Sequence, residues 1–363
     1  ALAIALIMVI LIVYQAKTAD YAPEVNRSRS LYVKWERTVY DKKDPNSAGH
    51  SRPSLWLVKE IFYPLTTPEA VTATYEGGEV LVGTVGSDEE MNTPLMLTDA
   101  AFWKVYQFRF LAGKPFTEAD FQSGMKQAVI AKSVARRLFG GAENAIGKDI
   151  LVNFAAYTVC GVVDDVNRFC EFTWSEVYAP YTSNAIASEA EAGQTSGNNV
   201  ITILARSTDD FDAIRNEVAR GVAQINTTLG DMELQLMGQP DNFRMQLNRK
   251  FANQYENLNA NFWKYGIMIL IILLVPAINL SGLTNTRMRR RLEELGIRKA
   301  FGATRNELVW QVLNENLVLT VMGGLLGLAL AYLFLWLMSD WLLQTVWGAT
   351  ATMNASMVSP VIF

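Results

Sequence analysis

The chain has 363 residues, enough for two or three domains or for one large domain joined to membrane spans. Half of the residues are hydrophobic and 19% are charged, which excludes an intrinsically disordered or collagen-like protein. The formal net charge of −4 lacks the basic footprint of a nucleic-acid-binding protein, so we expect no nucleic-acid partner. Two cysteines and one histidine are too few for a zinc cage or a disulfide-rich scaffold.

Three long segments that are almost free of charge predict membrane-spanning helices, because a span needs about 20 mainly apolar residues. The first segment is short, and no small-residue cleavage site follows it. We therefore interpret it as part of a truncated span and not as a signal peptide. The predicted spans are residues 1–16, 265–286 and 308–339, followed by a loop at 340–356 and the start of a fourth span at 357–363.

The loop between the second and third spans, residues 287–307, sets the orientation because it is rich in Arg and Lys. Short loops of this composition lie on the cytoplasmic side. Residues 17–264 should then form one large domain outside the cytoplasm.

The sequence of the external domain predicts alternating strands and helices. Apolar residues recur at intervals of three and four in residues 209–226, as in an amphipathic helix with acidic residues at its start. The predicted strands are residues 30–35, 71–75, 79–82, 199–205 and 232–236, with a further helix at 54–62. This order is typical of a split ferredoxin-like unit. Residues 95–181 interrupt it as a β-rich insert, with a helix at 132–138 and strands at 149–153 and 157–163.

Several segments resemble a known family of permeases. The stretches FWKVYQFRFLAGKPFTEADF (residues 102–121), AVIAKSVARRLFGGAENAIGKDI (128–150) and YTVCGVVDDV (157–166) resemble the MacB-type periplasmic core domain. Residues 279–331 resemble the FtsX-like permease module, most specifically in ELGIRKA (294–300) and in the GAT that follows at 302–304. The chain is therefore similar to MacB/FtsX-type ABC transporter permeases of the mechanotransmitting class.

The resemblance implies a four-span helical bundle that carries a large extracytoplasmic α+β domain. It places the bundle in the inner membrane of a bacterium and the domain in the periplasm. It also implies that the chain is not an enzyme by itself: a partner ABC ATPase binds ATP and Mg and hydrolyses the ATP. The permease converts ATP binding and hydrolysis into movement of its periplasmic domain, which exports or extracts a periplasmic substrate. Expected partners are that ATPase, a second copy or close paralogue in a dimer, membrane lipid, and a periplasmic adaptor or outer-membrane channel.

The segment that most nearly matches a nucleotide-binding loop is residues 141–149, and it lacks the required pattern. Residues 141–149 read GAENAIGKD, with five residues between the glycines where a P-loop has four, and with Asp149 in place of Ser or Thr. We interpret this segment as a loop that leads into a strand. The ATPase is expected either on a separate polypeptide or ahead of residue 1.

The cytoplasmic loop is the candidate site for coupling to the ATPase. We expect a charged helix that bends or stops at Gly296, a short second helix at 297–301, and a capping box between Thr304 and Glu307 that starts the third span. An ordinary basic loop in contact with lipid headgroups is the alternative. The candidate coupling residues are Arg291, Glu294, Leu295, Gly296, Ile297, Arg298, Lys299, Ala300, Gly302 and Thr304.

Other features of the sequence support smaller expectations. Gly323 and Gly327 have the small-xxx-small spacing that lets helices approach closely. An oxidising compartment would permit a disulfide between Cys160 and Cys170, and the sequence leaves its formation open. No catalytic set or metal cluster emerges from the sequence. A membrane sensor or scaffold, whose external domain binds a ligand or activates a cell-wall hydrolase, remains the alternative function.

Overall fold

The computed structural model describes residues 18–84, 89–188, 191–249 and 292–342, with single positions between 252 and 282. The chain forms two compact units. One unit is Asp20–Glu256, and the other comprises Ala1–Ala19 and Asn257–Phe363.

The strands within the described residues are numbered in chain order. They are β1 (Ser30–Val33), β2 (Glu36–Val39), β3 (Ala48–Pro53), β4 (Ala70–Thr84), β5 (Glu90–Thr98), β6 (Phe110–Gly113), β7 (Gln127–Ala131), β8 (Asp149–Val152), β9 (Ala155–Val163), β10 (Val177–Pro180), β11 (Ser196–Gly197), β12 (Asn199–Leu204), β13 (Glu233–Gln235) and β14 (Asp241–Asn242).

The helices are numbered in the same way. They are α1 (Leu55–Leu57, continued by a π-helical turn at Val58–Phe62), α2 (Phe102–Val105), α3 (Glu118–Gln122), α4 (Lys132–Phe139), α5 (Ala142–Ala145), α6 (Ala185–Ser188), α7 (Phe211–Thr228), α8 (Phe243–Asn248), α9 (Leu292–Ala300) and α10 (Arg305–Leu342).

The ferredoxin-like unit is present in Asp20–Glu256 as the strand order β14-β1-β12-β4, in which every neighbouring pair is antiparallel. β1 and β4 are therefore parallel with β12 between them, which is the split β-α-β arrangement that the sequence predicts. Strands β1 and β12 are buried along their whole length and are rich in β-branched or aromatic residues. Helices α1 and α7 pack together, since a Cβ at Gly221 would lie 3.0 Å from the Ile61 side chain.

The amphipathic helix α7 begins with a capping box that agrees with the predicted acidic start. The Asp209 backbone N–H donates to the Ser207 hydroxyl, and the Ser207 N–H donates to the Asp210 carboxylate. These bonds satisfy backbone donors that a helix leaves free at its N-terminus. Ile214, Val218 and Ile225 then face the core.

The insert closes a ring of six strands together with β5 and with β4, which also belongs to the ferredoxin-like sheet. Its pairings run from β4 to β5, β10, β7, β9 and β8, and β8 returns to β4. A ring of this kind is a small β-barrel, and side chains fill its interior. Val82, Leu97, Ile130, Ile150 and Val177 are all buried in the same hydrophobic core.

Three details of this unit correct the sequence prediction. Residues 71–75 and 79–82 belong to one strand, β4, which continues through a bulge where Gly78 has φ +72°. Residues 232–236 contain β13, which pairs with β2 in a second sheet of order β11-β3-β2-β13. The edge of the ferredoxin-like sheet is β14 instead, two polar residues that carry no apolar alternation.

The other unit is described mainly through α9 and α10. The predicted third span, residues 308–339, falls within α10. Among the residues that the structure describes, none of the helices combines the length and the hydrophobicity that crossing a bilayer requires. The predicted spans at 1–16 and 357–363 lie outside the described residues, and the one at 265–286 is represented only by single positions.

Both cysteines are free thiols, so the disulfide that the sequence left open is not formed. The Cys160 thiol donates to the Ala128 carbonyl at 3.4 Å, and the Cys170 thiol donates to the Ala22 carbonyl at 3.7 Å. Burial raises the pKa of each thiol to about 12, because a thiolate is poorly solvated inside the domain.

We expect these thiols to react slowly in the folded protein. At pH 8 a pKa near 12 leaves about a thousandfold less thiolate than an ordinary cysteine, and the thiolate is the reactive form. The measurement is the rate of reaction with a chromogenic disulfide reagent, with and without denaturant. Fast reaction of both thiols in the native chain would contradict this environment.

Candidate functional site

Helix α9 ends in a hydrogen-bonded turn built around Gly302. The Gly302 N–H donates to the Lys299 carbonyl and the Ala303 N–H donates to the Arg298 carbonyl, each at 3.1 Å. This pair of bonds is a Schellman motif, which requires a left-handed residue after the helix. Gly302 supplies it with φ +93°, a conformation that side chains disfavour.

Helix α10 begins directly after this turn, at the capping box that the sequence predicts. The Thr304 N–H donates to the Glu307 carboxylate at 2.8 Å, and the Glu307 N–H donates back to the Thr304 hydroxyl at 3.4 Å. These hydrogen bonds lower the pKa of the Glu307 carboxyl below its usual value. Only residues 301–304 separate the two helices, so the connection has little freedom.

A side-chain contact ties the two helices together across the turn. The Arg298 guanidinium donates to the Gln311 side-chain oxygen at 2.7 Å. Gln311 lies almost two turns into α10, and no local sequence pattern links it to Arg298. The contact orients Arg298 against α10.

The end of α9 presents an exposed surface that is both apolar and basic. Ile297 is 58% exposed and Phe301 is 88% exposed, with Arg298 and Lys299 exposed between them. An exposed aromatic residue beside basic groups is the kind of surface that docks a protein partner, since the ring supplies contact area and the charges supply specificity. We call Ile297, Arg298, Lys299 and Phe301 the α9 surface.

The structure places most of the predicted coupling residues in this helix–turn–helix segment. Glu294 and Ala300 are exposed on α9, and Leu295 lies within the same helix. Gly296 is in the interior of α9, so the predicted bend or stop there is wrong. The helix continues because one glycine costs only about 1 kcal/mol among good helix formers. Arg291 lies outside the described residues.

The glycines of α10 lie on its more buried side. Gly327 and Ala331 are buried and Gly323 is half-buried, at the four-residue spacing of one helix face. The neighbouring residues Leu325 and Leu326 are 63% and 60% exposed. The small residues therefore lie together on the more buried side of α10, as close helix packing requires.

The buried carboxylates of Asp20–Glu256 make structural contacts. Asp99 accepts hydrogen bonds from the Thr72 and Tyr63 hydroxyls and from the backbone N–H groups of Ala73 and Phe102, at 2.6 to 3.0 Å. Burial raises the pKa of Asp99, and these donors oppose that effect. Since its bonds go to β4, α2 and the residue after α1, Asp99 pins the insert to the ferredoxin-like unit. Within the described ranges, no group of three His, Cys, Asp or Glu residues is placed to hold a metal ion.

Two family models match the chain. The model of the MacB-like periplasmic core domain matches residues 1–220, and the model of the FtsX-like permease C-terminal region matches residues 266–363. The α9 surface and α10 lie in the second region, and the barrel and most of the ferredoxin-like unit lie in the first.

Individual relatives agree with these matches. The chain is 26% identical over 246 residues to the uncharacterized ABC transporter permease YknZ of Bacillus subtilis, which covers 68% of this chain and 58% of the relative. It is 26% identical over 294 residues to the macrolide export ATP-binding/permease protein MacB of Wolinella succinogenes, covering 79% of this chain and 42% of the relative. The chain thus spans about half the length, or less, of these curated relatives.

Two solved structures are also similar to the chain. The extracellular domain of the ABC-type transporter YknZ covers 57% of this chain and 99% of its own, with 19% identity and a TM-score of 0.40. The periplasmic region of MacB from Actinobacillus actinomycetemcomitans covers 60% and 94%, with 15% identity and a TM-score of 0.41. From the two family models, which together cover most of its length, the chain belongs to the MacB/FtsX-type ABC transporter permeases.

Proposed function

We propose that this permease converts ATP binding and hydrolysis by a cytoplasmic ABC ATPase into movement of its periplasmic domain, which exports or extracts a periplasmic substrate. The family membership supports the ABC transporter role. In this proposal the periplasmic domain moves as one body, and the substrate does not pass between the membrane spans. Asp99 ties the barrel to the ferredoxin-like unit, as expected of a part that moves as a whole.

The α9 surface is the observation that carries this proposal. A rigid turn joins α9 to the long helix α10, so a push on the exposed residues Ile297, Arg298, Lys299 and Phe301 is delivered along α10. Helices transmit displacement well because their backbone hydrogen bonds run along the helix axis. An ordinary loop in contact with lipid needs neither a Schellman motif nor a capping box in succession.

The partners follow from the same proposal. The ATPase subunit supplies ATP and Mg chemistry, and this chain contributes no catalytic residue. Two copies, or one copy and a close paralogue, would form a transmembrane unit with two ATPase subunits, as symmetric assemblies usually do. The chain would reside in a bacterial inner membrane with lipid around its spans. A periplasmic adaptor or outer-membrane channel would complete an export path.

The test of the proposed function is co-purification. We expect the full chain, extracted from its native membrane in mild detergent, to bring down an ABC ATPase whose hydrolysis of ATP is vanadate-sensitive. Recovery of the full chain without any ATPase, under conditions that preserve a known ABC complex, would contradict the proposal and favour a sensor or scaffold.

The proposed orientation makes a labelling prediction. A cysteine introduced at exposed Ala223 of α7 should react with a membrane-impermeant maleimide in intact spheroplasts, and one at exposed Asn306 of α10 should not. The native thiols contribute little background because their pKa is about 12. Permeabilised cells should label both positions. The reverse pattern in intact spheroplasts would overturn the orientation.

A further inference from the structure

Two segments connect the two compact units, and each is held by a buried ion pair inside the Asp20–Glu256 unit. The chain passes from one unit to the other after Ala19 and again after Glu256. The first connecting segment is residues 20–29 and the second is residues 237–249. The covalent path from one unit to the other therefore leads through these segments.

The ion pair of the first segment joins Glu24 to Arg27, which are 1% and 2% exposed. The Arg27 Nε donates to the Glu24 carboxylate at 2.9 Å, and its Nη2 donates to the Phe169 carbonyl at 2.7 Å. Glu24 also accepts from the Phe172 N–H at 2.9 Å and from the Thr173 hydroxyl at 3.0 Å. The segment is therefore locked to the loop that precedes β10.

The ion pair of the second segment joins Asp241 of β14 to Arg249, immediately after α8. Both side chains are fully buried, and Arg249 donates to both carboxylate oxygens, one of them at 2.9 Å. Arg249 Nη2 also donates to the Met237 carbonyl at 3.1 Å. A bidentate pair of this kind fixes the angle between its partners as well as their distance.

Phe243 brings the second segment against the first ion pair. It is the first residue of α8, between Asp241 and Arg249, and the Arg27 guanidinium lies 4.7 Å from the centre of its ring. Strand β1 runs beside both pairs, because Tyr32 faces Asp241 in the sheet and its ring lies 5.9 Å from that of Phe243. We call Glu24, Arg27, Asp241, Phe243 and Arg249 the paired anchor.

Buried ion pairs are a poor source of stability, since removing two charges from water offsets most of their attraction. What they provide is geometry, because charged hydrogen bonds tolerate little displacement, whereas apolar contacts are non-directional and can slide. Two such pairs, one in each segment, with Phe243 of the second segment against Arg27 of the first, would make the segments move together.

We propose that the paired anchor is the device by which both connecting segments pass displacement to the ferredoxin-like sheet as one body. This inference rests on the proposed function, because it assumes that displacement arrives from the other unit. Glu24, Arg27, Asp241 and Arg249 are positioning residues in this role, and none of them acts on ATP or on the transported molecule.

The test uses the full chain in its complex with the co-purified ATPase. Two double variants replace each pair by apolar residues of similar size: Glu24→Leu with Arg27→Met, and Asp241→Leu with Arg249→Met. Replacing both partners leaves no buried charge unpaired, so the fold should be kept. A matched control, Arg52→Met with Glu76→Leu, removes an ion pair between β3 and β4. In that pair the Arg52 Nη2 lies 3.0 Å from a Glu76 carboxylate oxygen.

The readout is hydrogen–deuterium exchange with ATP and vanadate and without nucleotide. In the wild type and the control we expect a nucleotide-dependent exchange difference in β1 and β12. In each anchor variant we expect that difference to be lost from β12, with ATPase association and melting temperature retained. If the ion pairs only stabilised the fold, the exchange difference in β12 would persist, because the variants remain folded. An unchanged difference in β12 of both anchor variants would overturn the proposal.

A failure of the proposed function gives a different result. If the wild type binds no ATPase, or shows no nucleotide-dependent exchange anywhere in Asp20–Glu256, the proposed function fails and the anchor has nothing to transmit. If the wild type responds and the anchor variants respond equally, the proposed function stands and the anchor inference is wrong.

Discussion

Reversing the charge of the α9 surface, with Arg298→Glu and Lys299→Glu together, should abolish association with the ATPase while the chain still inserts and folds. Both residues are exposed beside Ile297 and Phe301, so the change alters a surface and not a core. Like charges brought together at an interface cost several kcal/mol, which corresponds to at least about a hundredfold in affinity. The measurement is the amount of ATPase recovered with the tagged permease.

Two controls separate charge from structure in that experiment. Gln311→Ala removes the hydrogen bond from Arg298 without changing the charge of the surface, and it should leave association nearly intact. Reversal at Arg136 and Arg137, both exposed on α4 in the barrel, should also leave association intact. Unchanged ATPase recovery in the Arg298/Lys299 variant would rule out the coupling role and favour contact with lipid headgroups.

The single substitution Arg249→Met should destabilise the Asp20–Glu256 unit by about 3–5 kcal/mol, because it leaves the Asp241 carboxylate buried without its partner. Asp241 is fully buried in β14, so it cannot recover the lost bonds from water. For a unit of this size we expect the melting temperature to fall by roughly 10 °C. The measurement is thermal unfolding of the purified full chain.

Lys132→Met is the matched control for that prediction. Lys132 lies 3.6 Å from Asp164, and both side chains are largely exposed, so its loss should change stability by about 0.5 kcal/mol or less. The double change Asp241→Leu with Arg249→Met should recover most of the stability that Arg249→Met loses. An equal loss in the single and double variants would show that packing, and not an unpaired charge, determines the effect.

The elements that the sequence predicts well are those with a strong local pattern. The apolar periodicity of α7, the β-branched run of β12 and the Thr304–Glu307 capping box each depend on residues close together in the chain. The family resemblance added the domain order. These elements can be predicted from local patterns because the periodicity, the β-branched run and the capping residues all lie within one short segment each.

The elements that the sequence misplaces depend on distant partners. Strand β2 is short and mostly polar, and β3 contains turn-forming residues; both become strands by pairing with each other and with β13 and β11. The edge strand β14 is buried because Asp241 meets Arg249, a contact that no periodicity predicts. Residues 71–75 and 79–82 are predicted as two strands, because no local pattern shows that Gly78, with its positive φ, serves a bulge within a single strand β4.

The site was predictable to a similar extent. The motif identified the candidate segment for coupling, which stays a prediction, but the exposure of Phe301 and the Arg298–Gln311 bond depend on how α9 meets α10. The predicted break at Gly296 failed because a glycine only weakens a helix, whereas the break requires the left-handed conformation that Gly302 adopts.

The pairing of β1 with β12 has a consequence for the order in which the protein is made. β1 is synthesised early, yet its two neighbours in the sheet, β12 and β14, follow only after the whole barrel. At typical elongation rates β1 waits roughly ten seconds or more for its first partner. The barrel strands, whose partners lie between β4 and β10, can assemble during that wait. The nascent chain therefore exposes β1 as an unpaired edge, and a chaperone that binds extended apolar segments would find its target at residues 30–33.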